Sequence, residues 1–484
     1  MLKYLKTIRT YEIIAFTTGF ALMAYELAAA RLLAPSIGSS TYVWTSVIGV
    51  IIAALSIGYT IGGIIADKRV SPTDIAWLLL ASALGVSLTL TFADGTLSML
   101  SKISDPRLQG LMASALLFLP ASFLLGTISP YLARLRTRSL GTTGRSIASL
   151  SAMNAIGGII GTFCVGFIFF GYVGPSETLF FVIFLLVAAS WLISPRHRLF
   201  QRLALSLILL IVSLLQSIQL PKKGIIADIN TPSARYQIID STRQGAPIRI
   251  LSTGPRGSQS GVYASGSTEL VFDYTRQIAQ LVKQAPHKST VLVLGGGALT
   301  LPAYLADHHP AQIDVVEIDP HLEDISKKYF NYRDRPNLKI IAQDARAYLN
   351  TTQKKYDIII ADVYADTSIP FALTTQQYTQ QLRRTLTANG IAIVNAIGAN
   401  TPGCGPLLSS IHQSYIKAFT HFTMQPMRDP NIKSVQNIIS TYSNQPLNWA
   451  NAPAAPQLQP GQTLTDNYAP IERLQQQCWD EQSR

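Results

Sequence analysis

Cysteine is scarce in this 484-residue chain: there are three, Cys164, Cys404 and Cys478, too few for a disulfide-built scaffold. Clusters with metal-ligand spacing are lacking too. His308 and His309 adjoin a proline, and no metal centre is expected. No basic stripe interleaved with aromatics accompanies the net charge of +12, which argues against a nucleic-acid partner. Acids are rare before Pro221, seven Asp and Glu against fifteen Lys and Arg, so that part alone carries +8. Beyond Pro221 long apolar runs are absent, and the composition is that of a globular domain.

What fills the first part is apolar sequence. Seven stretches, near 12–34, 42–66, 74–93, 110–132, 147–170, 176–194 and 201–220, each approach the roughly 20 residues needed to cross a bilayer. The basic N-terminus and first apolar run resemble a signal peptide, yet no clear cleavage site follows, so a first span is expected. Gly58 with Gly62, and Gly157 with Gly161, suit close helix packing. Glu26 is an acid within the first span, with Arg31 offered as its partner. Asn154 is expected to hydrogen-bond between helices.

Basic residues fall on alternate loops: Lys3, Lys6 and Arg9; Lys68 and Arg69; Arg134, Arg136, Arg138 and Arg145; Arg196, Arg198 and Arg202. That asymmetry predicts a cytoplasmic N-terminus, as in a bacterial inner-membrane protein. Seven crossings then leave everything after Pro221 outside the cytoplasm. There Cys404 and Cys478 are either one disulfide or two buried thiols.

The expected domains are a membrane bundle at 1–220, a small β-rich region at 221–290, a doubly wound α/β domain at 291–442 and an irregular, Gln- and Pro-rich segment at 443–484. Within the α/β part, VLVLGGG, QIDVVEID, LKIIAQD and KYDIIIAD are near-continuous apolar strands separated by helical patterns, as in a parallel sheet. A turn at Ala388–Gly390 precedes a further strand, IAIVNAIG. Ligands of such sheets sit at the carboxyl ends of the strands. Gly295, Gly296 and Gly297 let the backbone approach a ligand there. Glu317 and Asp319 follow about 20 residues on, where an acid can accept two ribose hydroxyls. Asp344 and Asp362 end the next two strands.

These motifs, with QDARAYL, YDIIIADVYAD, IPFALTTQQY and the late LTDNYAPIE, resemble the spermidine synthases, aminopropyltransferases sharing the fold of S-adenosylmethionine-dependent methyltransferases. The whole chain resembles their integral-membrane members. The resemblance implies decarboxylated S-adenosylmethionine or S-adenosylmethionine as donor. It places Gln259, the three glycines, Glu317, Asp319, Asp344 and Ala345 around that donor, and Tyr274, Arg276 and Tyr364 near the substrate. Asp362 or Asp366 would take the proton of an attacking amine. Three departures stand out. Ala298 replaces the acid of the family's GGGDG loop. Arg276 replaces a glutamate. The paired acids, usually three apart, are four apart here. Polyamine synthesis is therefore open to challenge. One alternative keeps the fold without any donor, using the aspartates on an amine of an exported substrate, for example cyclising an N-terminal glutamine. Another makes the bundle a transporter or sensor. The expected partners are the lipid bilayer and a small amine or exported peptide, with self-association left open.

Overall fold

The computed structural model describes residues 2–38, 40–101, 103, 105–137, 143–193, 198–217, 224–254, 258–364, 369–446 and 456–482. It divides into two compact units, Met1–Leu220 and Pro221–Arg484.

The first unit is helical: α1 (Leu2–Ile37), α2 (Thr41–Lys68), α3 (Pro72–Leu100), α4 (Pro106–Arg136), α5 (Thr143–Phe163), which runs through a π-helical stretch Cys164–Phe169 into the short α6 (Phe170–Tyr172), then α7 (Pro175–Ile193) and α8 (Leu199–Ser217). Among the described residues seven helical stretches are long and apolar enough to cross a membrane, the number expected from the sequence. Glycines set the closest contacts. A Cβ on Gly157 would lie 2.0 Å from the Phe16 carbonyl oxygen, and one on Gly58 would lie 2.3 Å from that of Phe123. The pairs α1–α5 and α2–α4 therefore pack backbone to backbone, as small residues allow in membrane helices. Glu12 accepts from Arg136 at 2.8 Å and from Ser149 at 2.7 Å, tying α1 to α4 and α5. Arg31, offered by the sequence as a partner for Glu26, lies over the Phe170 ring at 4.5 Å. Arg202 does not sit on the polar flank where its charge alone would put it. It is fully buried, lies over Trp191 at 4.8 Å and donates to Ser190 Oγ at 2.8 Å.

The second unit begins with an antiparallel sheet, β1 (Ile225–Asn230), β2 (Arg235–Arg243), β3 (Ala246–Ser252) and β4 (Ser258–Tyr263), in sequential order. After α9 (Asp273–Gln284) the α/β core follows: β5 (Thr290–Leu294), α10 (Thr300–His308), β6 (Gln312–Glu317), α11 (His321–Tyr329), β7 (Leu338–Ala342), α12 (Ala345–Thr351), β8 (Tyr356–Ala361), α13 (Gln376–Thr385), β9 (Leu386–Gly398), α14 (Gly405–Ile416), β10 (His421–Pro426), β11 (Gln436–Ser443) and α15 (Ile471–Gln482). The seven-stranded sheet has the order β10-β11-β9-β8-β5-β6-β7, parallel from β9 to β7 and antiparallel at β11 and β10. Its switch point is between β5 and β8, because the chain leaves β5 towards β7 and returns on the other side. Buried Val, Ile and Leu of β5, β6 and β8 form the centre of the core, consistent with a sheet covered on both faces.

The structure revises three expectations. The turn expected at Ala388–Gly390 lies inside β9 as an irregularity: Tyr356 pairs with Leu386, but Ile358 already pairs with Ile391. The sheet is mixed, since β10 and β11 add an antiparallel edge. The segment 443–484 is also not all irregular, for it contains α15. Ile471, Leu474 and Cys478 form its buried stripe at the i, i+3, i+7 spacing of an amphipathic helix, which the surrounding glutamines obscured. The two lone cysteines of this unit, Cys404 and Cys478, form a disulfide that joins α14 to α15.

Candidate active site

The loop after β5 meets the loop after β8 at the switch point. Gly295 has φ +88°, and a Cβ there would lie 2.2 Å from the Asp362 carbonyl oxygen. Gly297, at φ +51°, faces Ser260 Oγ, 2.6 Å from where its Cβ would be. Only glycine combines that backbone with that approach. The amides of this loop are not idle. Glu317, at the end of β6, accepts from Gly296 N at 2.8 Å and Gly297 N at 3.3 Å through one oxygen, and from Asp319 N at 3.1 Å through the other. Burial pushes the Glu317 carboxyl up, and these backbone donors partly offset it.

The next residue, Ile318, is 60% exposed although apolar, an open hydrophobic face beside the acid. Asp344 caps α12, accepting from Ala347 N at 2.8 Å, and Ala345 is buried beneath it. Asp319, by contrast, turns away to structural partners. It accepts from Thr231 Oγ1 at 2.5 Å and from the His321 amide at 3.0 Å, and its Oδ1 lies 2.9 Å from His321 Nδ1.

Around Asp362 the polar contacts close into a ring. Parallel pairing of Ala361 with Val394 brings the following residues, Asp362 and Asn395, side by side. Asn395 Nδ2 donates to Asp362 Oδ1 at 2.8 Å. The Tyr274 hydroxyl, from α9, donates to the Gln259 carbonyl at 3.3 Å and lies near enough to act on the Asp362 carboxyl. Gln259 Nε2 donates to Thr253 Oγ1 at 2.7 Å and reaches the Tyr364 carbonyl at 3.5 Å. The Tyr364 hydroxyl donates to the Asn395 carbonyl at 3.1 Å and accepts from Ile397 N at 2.7 Å. Burial raises the Asp362 carboxyl above the usual carboxylate range, and Asn395 and Tyr274 pull it partly back. A carboxylate so placed can exchange a proton closer to neutral pH than an exposed one. Burial and the Asp362 charge together drive the Tyr274 phenol well up, so it stays protonated as a donor.

Arg276 is not open towards this ring. It donates to the carbonyls of Leu270 at 2.7 Å and Val271 at 3.0 Å, to Asp273 at 3.1 Å and to the Tyr263 hydroxyl at 3.1 Å, fastening the segment that leads into α9. Asp366 lies outside the described residues. Ser260, Ile318 and Asn395 were absent from the sequence reading. Ser260 donates no motif, although its Oγ accepts from Ala298 N at 3.0 Å.

Ala298 itself is buried among Tyr236, Ile238, Leu251, Leu322, Ile325 and Phe330, so an acid there would enter an apolar cluster. Ala298→Asp is expected to cost on the order of 3 kcal/mol as an unpaired buried charge, seen as a lowered unfolding midpoint. An unchanged midpoint would contradict this packing.

Comparison with known proteins agrees on the second unit. Residues 271–446 match the family described as "Spermine/spermidine synthase domain". A polyamine aminopropyltransferase of Vibrio vulnificus is 27% identical over 219 residues, 44% of this chain and 72% of that protein. An eEF1A lysine and N-terminal methyltransferase of Xenopus laevis is 28% identical over 139 residues, 26% of this chain and only 20% of that protein. The crystal structure of a probable spermidine synthase from Corynebacterium glutamicum superposes with a TM-score of 0.41 at 23% identity, covering 48% of this chain and 84% of that one. The family match does not extend to the seven apolar helices. Over residues 271–446 the second unit of this chain is thus similar to the spermine/spermidine synthase domain.

Proposed function

We propose that this protein is a membrane-anchored transferase that moves an aminopropyl or methyl group from an S-adenosyl sulfonium donor to an amine, with Asp362 as the proton acceptor. The observation that carries this is the Asp362 ring at the switch point, directly against the glycine loop. The residues fit a nucleoside. Glu317 would hold the ribose hydroxyls, Ile318 would lie against the base, and Asp344 with Ala345 would frame it. When bound, the donor supplies an electrophilic carbon beside a positively charged sulfur. Asp362 orients the acceptor's ammonium group and takes its proton, freeing the nitrogen lone pair for attack. Asn395 keeps the carboxylate in place as it does so.

The acceptor we favour is a polypeptide amine rather than a diamine. Ala298 faces apolar neighbours and Arg276 is occupied, so the two positions where spermidine synthases usually have acids offer none. The Xenopus relative is, by its name, a lysine and N-terminal methyltransferase.

Two observations favour a second reading. The Cys404–Cys478 disulfide and the basic flanks of the apolar helices both suit a bacterial inner-membrane protein with its N-terminus inside and its second unit outside the cytoplasm. In that setting the same ring would act without a donor on an exported peptide. An N-terminal amine attacks its own glutamine side-chain carbonyl, the C–N bond to the leaving nitrogen breaks, and Asp362 carries the proton from the attacking amine to the departing ammonia.

The test uses purified full-length protein, both sulfonium donors, putrescine, and peptides with free N-termini, some beginning with glutamine. Mass gain on a peptide amine that needs a donor supports transfer. Ammonia loss from a glutamine peptide with no donor supports the second reading. If neither occurs, or if Asp362→Asn behaves like the wild type, the assignment of Asp362 fails.

A further inference from the structure

The hydrogen bonds around Asp362 extend one residue beyond the ring, to the edge of the sheet. Asn395, buried on β9, donates to Asp362 Oδ1 at 2.8 Å. An asparagine amide can sit either way round, with its oxygen or its nitrogen forward, and its neighbours decide which. Here the neighbour is Asn437 on β11, whose Nδ2 donates to Asn395 Oδ1 at 3.0 Å. Asn395 pairs in register with Ile439. Asn437, two residues from Ile439, therefore projects from the same face of the sheet. With its oxygen held by Asn437, Asn395 can only present its NH₂ to the carboxylate.

We propose that Asn437 and Asn395 form an oriented amide relay that positions Asp362, leaving Oδ1 capped and making Oδ2 the oxygen that receives the substrate's proton. This rests on the reading of Asp362 as proton acceptor. Neither asparagine touches the reacting atoms; both are positioning residues. The other titratable groups acting on Asp362 among the described residues are Tyr274 from α9 and Tyr364 from its own loop. No lysine, arginine or second carboxylate is among them. Among the described residues, therefore, no charged side chain is found acting on Asp362 to mask the relay's effect.

The critical variant is Asn437→Asp. The new carboxylate accepts but cannot donate, so it draws the Asn395 NH₂ towards itself and turns the Asn395 oxygen onto Asp362. A donor becomes a repelling acceptor. The protonation midpoint of Asp362 is then expected to rise by about one to two pH units, the size of one lost charge-assisted hydrogen bond. The acidic limb of the pH–rate profile should move with it. Asn395→Leu should raise the midpoint similarly, because the donor is simply gone. Asn437→Leu, which leaves the amide free to turn, should give a smaller rise.

A through-space effect of the added charge is separated by the double variant N395L/N437D. If orientation is the mechanism, Asn437→Asp adds no further rise once position 395 carries no amide. If the rise persists in that background, the relay is overturned. It is equally overturned if Asn437→Asp leaves the midpoint unmoved. The readout is infrared titration of the protonated carboxyl band in full-length protein, assigned by its loss in Asp362→Asn. Because this needs no substrate, it is independent of the transferase reading: a midpoint that moves as expected without any transfer supports the relay while the reading fails. Transfer with an unmoved midpoint does the reverse. Should Asn395→Leu not fold, the partly buried Asn437 supplies the decisive pair, Asn437→Asp against Asn437→Leu.

Discussion

Asp362→Asn is expected to lower turnover by about 10²–10⁴-fold, the usual contribution of a positioned general base, while the protein stays folded. The amide has nearly the shape of the carboxylate and its one oxygen can still accept from Asn395, so geometry survives and only proton uptake is lost. Stability should change in the opposite sense to activity. The folded-state carboxyl of Asp362 is raised by burial, so ionising it costs the native state free energy that the unfolded chain does not lose. The corresponding stability is complete below the ordinary aspartate value of about 3.9 and is lost as pH rises through the raised folded midpoint. Asp362→Asn has no such loss. Its unfolding midpoint should therefore equal that of the wild type in acid and exceed it at neutral pH. A variant that is both inactive and less stable at neutral pH would instead make Asp362 a structural anchor. Measuring rate and thermal unfolding on the same preparation across pH decides between these.

Cys404→Ser is expected to cost about 4 kcal/mol through chain entropy alone. The bond spans a sequence separation of 74 residues, and releasing a loop of that size enlarges the unfolded ensemble by about that much. For a unit of this length the unfolding midpoint should fall by on the order of 10 °C. The bond does more than close a loop. Cys404 stands at the start of α14, where Glu481 of α15 accepts from Gly403 N at 3.1 Å and Cys404 N at 3.2 Å. A carboxylate at a helix N-terminus is favourable, so the disulfide and this cap reinforce one another. The segment ahead of α15 reaches the Asp344–Ala345 side of the candidate site. Asp466 accepts from Arg346 at 2.9 Å and from Thr375 Oγ1 at 2.6 Å, and Arg346 follows the Asp344–Ala345 pair. Weakened donor binding should therefore accompany the lower midpoint, with a reductant reproducing both effects. Thiol labelling of unreduced protein also tests the proposed orientation. Free Cys404 and Cys478 in protein taken directly from membranes would remove the argument for an oxidising compartment.

Much of this protein could be read from its residues because the signals are local or additive. Hydropathy summed over about 20 residues does not depend on what a helix packs against, and seven such stretches are found among the described residues. Each buried parallel strand carries its own apolar run, and the glycines at 295 and 297 announce a backbone that other residues rarely adopt. Glu317 and Asp362 were identified because each ends such a strand.

What the sequence left open depends on partners distant along the chain. Asn395 is 33 residues from Asp362 and Asn437 is 42 further on; only sheet register, set by the mixed order β11-β9-β8, puts the three in line. Arg276 reads as a replaced substrate contact until the fold gives it four acceptors. Ala298 reads as a missing grip until the small sheet and α11 surround it with apolar side chains. The two cysteines carry no pairing information by themselves, since a disulfide requires their Cα atoms to be brought together. That proximity depends on α15, a helix hidden in a Gln-rich segment whose propensity is moderate and whose stability comes from docking on α14. Sequence alone determined the classes of element and the acids at the strand ends. Tertiary structure decided which of those acids, Asp362, is buried against an oriented amide donor and which, like Asp319, serves the scaffold, because hydrogen-bond direction exists only once the partners have met.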